Sequence, residues 1–218
     1  MALSKVNFNS MNVTPAASKA IKFNSSNNGL ETGDIDGSLV LLSTQTASSS
    51  STITFDSGID STYKEYIFKF IDIHPAAVSQ FSFQGNAAGG SGYNETITST
   101  SFQSFHREDD SSTSLNYRTG DDQAQGTSFQ VLTNNVGDDA DQSCAGTLHL
   151  FDPSNTTFVK HFISRIQVYR STGSSAEASS VEAFTAGYFN TTSAIDEIQF
   201  KMSSGNIDSG TIKMYGVK

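Results

Sequence analysis

The chain has 218 residues, 16% of them charged, a formal net charge of −9, one Cys, no Trp, and 16 Phe beside 7 Tyr. The acidic balance sets it against nucleic-acid binding through phosphate neutralisation. The lone Cys144 rules out an intramolecular disulfide framework, and no apolar run approaches the roughly 18 residues a membrane-spanning helix needs. What remains is the length of one large all-β domain with an extension, rich in Ser, Thr, Asn and Gly, the residues of turns and hydroxyl-covered surfaces.

Met1 to Phe8 lacks the apolar stretch of a signal peptide, so synthesis in a cytoplasm is expected. Residues 1–37 read as an N-terminal arm. Asn7–Pro15 and Ile21–Gly29 are two loosely similar pieces, each with a Phe before a polar turn, and Pro15–Ile21 is placed as one helical turn. So few large apolar side chains cannot bury a core. The arm is therefore expected to order against a neighbouring subunit or a larger particle.

From residue 38 to 218 strand signals recur at regular spacing, and ten to twelve strands are expected. Leu39–Leu42 and Thr52–Phe55 come first. Tyr63–Ile73 follows as the strongest strand, with Tyr66, Phe68 and Phe70 on one face, Ile67, Ile71 and Ile73 on the other, and cover expected on both. Phe81 and Phe83 mark the next, before the glycine-rich Gly85–Gly92, read as a long exposed connection. Tyr93–Phe105 holds one or two strands with Ile97 and Phe102 inward. Strands resume at Phe129–Leu132, Thr147–Phe151, Phe158–Tyr169 and Val181–Phe189. Two half-buried strands close the chain. Ile198, Phe200 and Met202 alternate with Gln199 and Lys201, and Ile212 and Met214 flank Lys213, around a turn at Ser203–Ser209. The fold class is all-β, an antiparallel jelly-roll-like β-sandwich with its C-terminal strand sewn in.

Residues with catalytic chemistry are sparse. His74, His106, His149 and His161 lack metal-pair spacing, and His149 and His161 are expected to point outward or satisfy a backbone group. Cys144 reads as a small, partly buried residue beside a strand. Glu108, Asp109 and Asp110 offer carboxylates for glycoside hydrolysis but sit in a solvated run. Asp138, Asp139 and Asp141, or Asp121 and Asp122, carry oxygens that suit Ca²⁺ without the spacing of an EF-hand. No cofactor is expected.

Ser203-Ser204-Gly205-Asn206-Ile207-Asp208-Ser209-Gly210-Thr211-Ile212-Lys213-Met214-Tyr215-Gly216-Val217-Lys218 looks like the closing segment of structural proteins of tailed phages of marine bacteria. Thr46–Asp60, Ile71–Ala76 and Phe184–Ile195 resemble the same group, so the likeness runs over most of residues 38–218. It implies a place in the virion, supplies no functional residues, and sets three expectations. The first is a non-enzymatic capsid decoration or cement protein on the particle exterior, a homo-oligomer (a trimer) anchored by its N-terminal arm to capsid or tail subunits. The second is a tail-fibre or adhesin module. Its loops Gly85–Tyr93, Arg107–Asp122, Asn134–Asp141 and Ser171–Ser175 would present Tyr93, Asn94, Tyr117 and Asp121 to a host-surface glycan. The third is a tail-associated glycan hydrolase, which requires two carboxylates converging about 5–10 Å apart.

Overall fold

The computed structural model describes Val13 and residues 19–33, 37–170 and 178–218. Every regular element among them is an antiparallel strand, and the chain divides into two compact units, Met1–Ser38 and Leu39–Lys218. In the first unit, β1 (Ala20–Phe23) pairs with β2 (Leu30–Gly33). The turn between them is closed by mutual hydrogen bonds of Asn24 and Asn28. Ala20 and Ile21 are thus extended where a helical turn was expected; Pro15–Ser18, the rest of that turn, lies outside the described residues.

The second unit holds β3 (Leu39–Thr46), β4 (Ile53–Phe55), β5 (Glu65–Pro75), β6 (Ser79–Ala87), β7 (Ile97–Arg107), β8 (Thr113–Tyr117), β9 (Gln130–Val136), β10 (Cys144–Phe151), β11 (Lys160–Arg170), β12 (Ser179–Phe189), β13 (Ile195–Met202) and β14 (Ile207–Val217). They form an unequal sandwich. An 8-stranded sheet runs β3-β14-β5-β10-β11-β12-β7-β8, and a 4-stranded sheet runs β4-β13-β6-β9. The turn after Met202 carries the chain from the small sheet to the large one, where β14 is inserted between β3 and β5. The terminal strand is held on both sides by backbone hydrogen bonds.

The period-two patterns of both sheets meet in an aromatic core. Phe200, on β13, packs edge-on against Phe55, Phe68 and Phe70, and stacks 5.6 Å from Phe81. Phe83 reaches across to Phe162 at 5.0 Å and Phe189 at 5.9 Å. Edge-to-face pairs of this kind add about 0.5–1.5 kcal/mol each beyond burial.

Cover on both faces of β5 was expected and is not found. Tyr66, Phe68 and Phe70 face the core, but Ile67 is only half-buried and Ile71 is exposed. Ile73 is buried with the first set because the strand bulges. Four residues of β5, Phe70 to Ile73, stand against three of β10, and four, Ile71 to His74, against three of β14. The extra residue is Asp72, at φ 52°, and the bulge turns Ile73 onto the inner face. Across it stands Gly210, whose added Cβ would lie 2.6 Å from the Asp72 carbonyl oxygen.

Other local readings also shift. Gly85–Ala87 are buried in β6, so the exposed connection begins at Ala88. Phe102, expected inward, is 42% exposed. Ile97 fixes the phase of β7, and odd positions Ser99, Ser101 and Gln103 take the interior. The segment Arg107–Asp122 contains an edge strand, β8, and Asn134 sits buried within β9 instead of opening a loop. Ser171–Ser175 lie outside the described residues.

Candidate functional site: a trough on the outer face of the large sheet

The outward side chains of β7, β12 and β11 fall into transverse rows fixed by strand register. Thr98, Tyr188 and His161 form one row, Thr100, Ala186 and Ile163 the next, and Phe102, Phe184 and Arg165 the third. His161 and Tyr188 meet edge-to-face at 6.1 Å. Phe102 and Phe184 stack at 4.8 Å with rings 7° apart, and the Arg165 guanidinium lies 5.3 Å from the Phe184 ring. The outer two rows are four residues apart along each strand, about 13–14 Å at a strand's rise. The middle row is low because its centre is Ala186.

The result is a hollow of about 430 Å³ bounded by Thr98, Thr100, His161, Ile163, Ala186 and Tyr188. Gly187 forms part of its floor. A Cβ there would meet the Thr98 carbonyl oxygen at 2.5 Å and the Phe162 ring at 2.8 Å, so only glycine lets strand and core close beneath the trough.

His161 also borders a second hollow of about 560 Å³, lined by Phe151, Asp152, Asn155, Thr157 and Phe158. The turn that shapes it is built by its own side chains. Asp152 takes hydrogen bonds from the Lys64 ammonium at 2.9 Å and the Asn155 amide at 2.8 Å. These bonds hold its carboxyl below the usual range, Asn155 contributing most. Asn155 Oδ1 accepts the backbone N–H groups of Thr157 and Phe158. Phe158 is left 68% exposed. Beneath the turn Lys160 is fully buried, its ammonium donating to the carbonyls of Phe158 at 2.6 Å and Thr191 at 3.3 Å. Burial lowers its pKa, and Asp152 works in the opposite sense.

Every charge at the groove is already engaged: Arg165 by Glu182, Lys64 by Asp152, and Lys160 by two carbonyls. The ring nitrogens of His161 and the hydroxyls of Tyr188, Thr157 and Thr192 have no hydrogen-bond partner among the described residues.

The residues singled out from sequence are not gathered in this groove. Tyr93 donates its hydroxyl to Glu197 at 2.7 Å, and burial with that carboxylate pushes its pKa up to about 12. Tyr117 is in β8 on the outer face of the large sheet, donating to Asp122 at 2.6 Å. Tyr93, in the connection between β6 and β7, is thus tied to β13 of the small sheet, whereas Tyr117 is on the large sheet. Asn94 is exposed beside Tyr93. Asp121, expected in a surface loop, is buried and accepts Arg118 Nε at 2.9 Å and Gln80 Nε2 at 3.1 Å.

Glu108, Asp109 and Asp110 are exposed. Asp110 meets His106 at 2.9 Å, and hydrogen bonds from Ser111 hold the Asp109 carboxyl low. A general acid would need the opposite shift. Asp138, Asp139 and Asp141 are exposed, with Asp139 accepting the Gln142 amide at 2.9 Å. Among the described residues no three His, Cys, Asp or Glu side chains converge as a metal site. His149 points outward and pairs with Glu65 at 2.6 Å, and His161 borders both hollows. Cys144 is wholly buried, which pushes its thiol up to about 12.

Sequence reasoning missed the trough and the polar layer beneath it. Gln130 accepts from Ser99 at 2.7 Å and donates to the Asp121 carbonyl at 2.8 Å. Asn134 donates to Gln103 at 2.8 Å, and Gln84 reaches the carbonyls of Glu95, Thr127 and Ser128. Gln130 and Gln84 thereby satisfy the carbonyls of Asp121, Thr127 and Ser128 in the long connection between β8 and β9. The one available signal was the alternation Ile97, Ser99, Ser101, Gln103, continuous in phase with a buried Ile.

No family model matches the sequence and no curated protein is similar to it. Among solved structures, the crystal structure of infectious bursal disease virus VP2 subviral particle is 11% identical, with 91% of this chain and 45% of that chain covered at a TM-score of 0.14. The chain thus spans less than half of that structure's length, and a likeness of this size carries no argument about fold or function.

Proposed function

We propose that this is a non-enzymatic structural protein on the exterior of a phage particle, a capsid decoration protein working as a trimer with residues 1–37 as its anchor. One observation carries the reading. The outer face of the 8-stranded sheet presents Leu41, Ile71, Phe102, Leu115, Tyr117 and Ile163, each exposed beyond a third, while among the described residues the carboxylates do not gather with other ligating groups into one cluster. The cluster of Phe102, Leu115 and Tyr117 on the neighbouring strands β7 and β8 marks a surface that works by contact. The resemblance of residues 203–218 to tailed-phage structural proteins gives the particle.

A second reading, a tail-fibre or adhesin module, is favoured by the trough at His161, which suits a ligand smaller than a subunit. Immunogold labelling of intact particles with antibody to residues 38–218 tests the proposal. Gold distributed over the capsid surface supports decoration, gold confined to the tail moves the protein to the adhesin reading, and no labelling of particles refutes both.

A further inference from the structure

The two hollows that meet at His161 form one groove, and its chemistry specifies an occupant. We infer that this groove is a binding site for a neutral polysaccharide segment, whose sugar rings lie against His161, Tyr188 and Phe158. The inference deepens the adhesin reading and does not depend on where in the particle the protein sits.

Four features select this ligand class. The groove is concave, and each hollow falls within the 300–1,000 Å³ typical of small-ligand sites. Its lining combines the rings of His161, Tyr188 and Phe158 with Ala186, Gly187 and Ile163, an aromatic and aliphatic surface suited to the C–H faces of sugar rings. Its rim carries donors and acceptors with no partner among the described residues, in the imidazole of His161 and the hydroxyls of Tyr188, Thr157 and Thr192, which a ligand rich in hydroxyls can engage. No cation at the groove is free to meet an anionic ligand, since Arg165, Lys64 and Lys160 are each engaged.

The same features disfavour other occupants. An extended peptide gains affinity by pairing its backbone with an open strand edge. Here β11, β12 and β7 are paired on both sides and offer only side chains. A dry contact with a second copy, or with lipid, would strand the rim hydroxyls and the imidazole without hydrogen-bond partners.

The test is titration of the full chain with hexasaccharides of glucose, galactose and mannose, and with a sulfated hexasaccharide, followed by ligand-observed NMR. Saturable binding to at least one neutral hexasaccharide is expected. It should weaken at least tenfold in Tyr188→Ala and His161→Ala, and be lost in Ala186→Phe, which fills the trough from an outward position without touching the core. Leu41→Ser, on the same face but at the β3 edge, should leave binding unchanged. Unaltered thermal midpoints establish that the variants fold. Absence of saturable binding to all three neutral sugars, preference for the sulfated one, insensitivity to the three groove variants, or self-association lost in Ala186→Phe would each overturn the assignment. Particle labelling is unaffected by any of these outcomes, so the two proposals fail separately.

Discussion

Single side chains carry much of the energetics. Phe200 is the hub of the core, touching five other Phe rings from both sheets. Phe200→Ala removes those contacts in a site with no room to collapse, and should cost about 3–5 kcal/mol in urea unfolding. Cys144 gives a pH dependence with a definite sign. Its folded thiol stays neutral up to about 12, while the same thiol in the unfolded chain ionises at its ordinary value of 9.0. Between those values the unfolded chain binds fewer protons. The stability Cys144 contributes is therefore complete below pH 9 and lost as pH rises, by at most about 1.4 kcal/mol per pH unit. Cys144→Ala should be less stable at neutral pH and show a flatter alkaline decline; an unchanged slope would show that the thiol ionises equally in both states. At this scale the sequence was legible wherever apolar residues alternate, as at Ile198, Phe200 and Met202. It was opaque for Gln84, Gln130 and Lys160, which are surface types by composition and are buried by partners that no local pattern announces.

At the scale of elements, strands were legible and their faces less so. The β5 bulge illustrates the limit. Alternation assigned Ile73 to the face opposite Phe68 and Phe70, but one extra residue at Asp72 reverses the phase, and nothing in Ile-Asp-Ile reveals it without the partner strands. The bulge and Gly210 form a pair. Gly210→Ala would push a methyl into the β5 backbone, and a loss of about 1–3 kcal/mol is expected in thermal unfolding. A neutral effect would mean that β5 and β14 can separate at this point. Inserting one further residue after Asp72 should turn Ile73 to solvent and cost more than Gly210→Ala in the same measurement, because the phase beyond the bulge is reversed. β8 went unread for a different reason: five residues, Thr-Ser-Leu-Asn-Tyr, embedded in a polar run are too few to show a period. The trough is an emergent property of three such strands. Tyr188, Ala186 and His161 are unremarkable in sequence and become a site only when register sets a small residue between rows of rings.

For the whole molecule, the two units divide the work. Among the described residues, the core cluster draws all its members from Ala47 to Met214. A chain lacking residues 1–37 should keep the thermal midpoint of the full protein within a few degrees while failing to attach to particles; a collapse of the midpoint would make the first unit part of the fold. The sandwich also holds the charge. Lys5, Lys19 and Lys22 balance Glu31, Asp34 and Asp36, which leaves the net −9 on residues 38–218. Copies of the sandwich therefore repel one another, and trimer assembly should strengthen as salt is raised, read by sedimentation. The most direct measurement of the central proposal is cryo-electron microscopy of the intact particle. The account predicts a projecting β-sandwich at capsid local three-fold positions, with density for residues 1–37 running onto the capsomers. Density for the sandwich inside the shell, or its absence from the particle altogether, would contradict it.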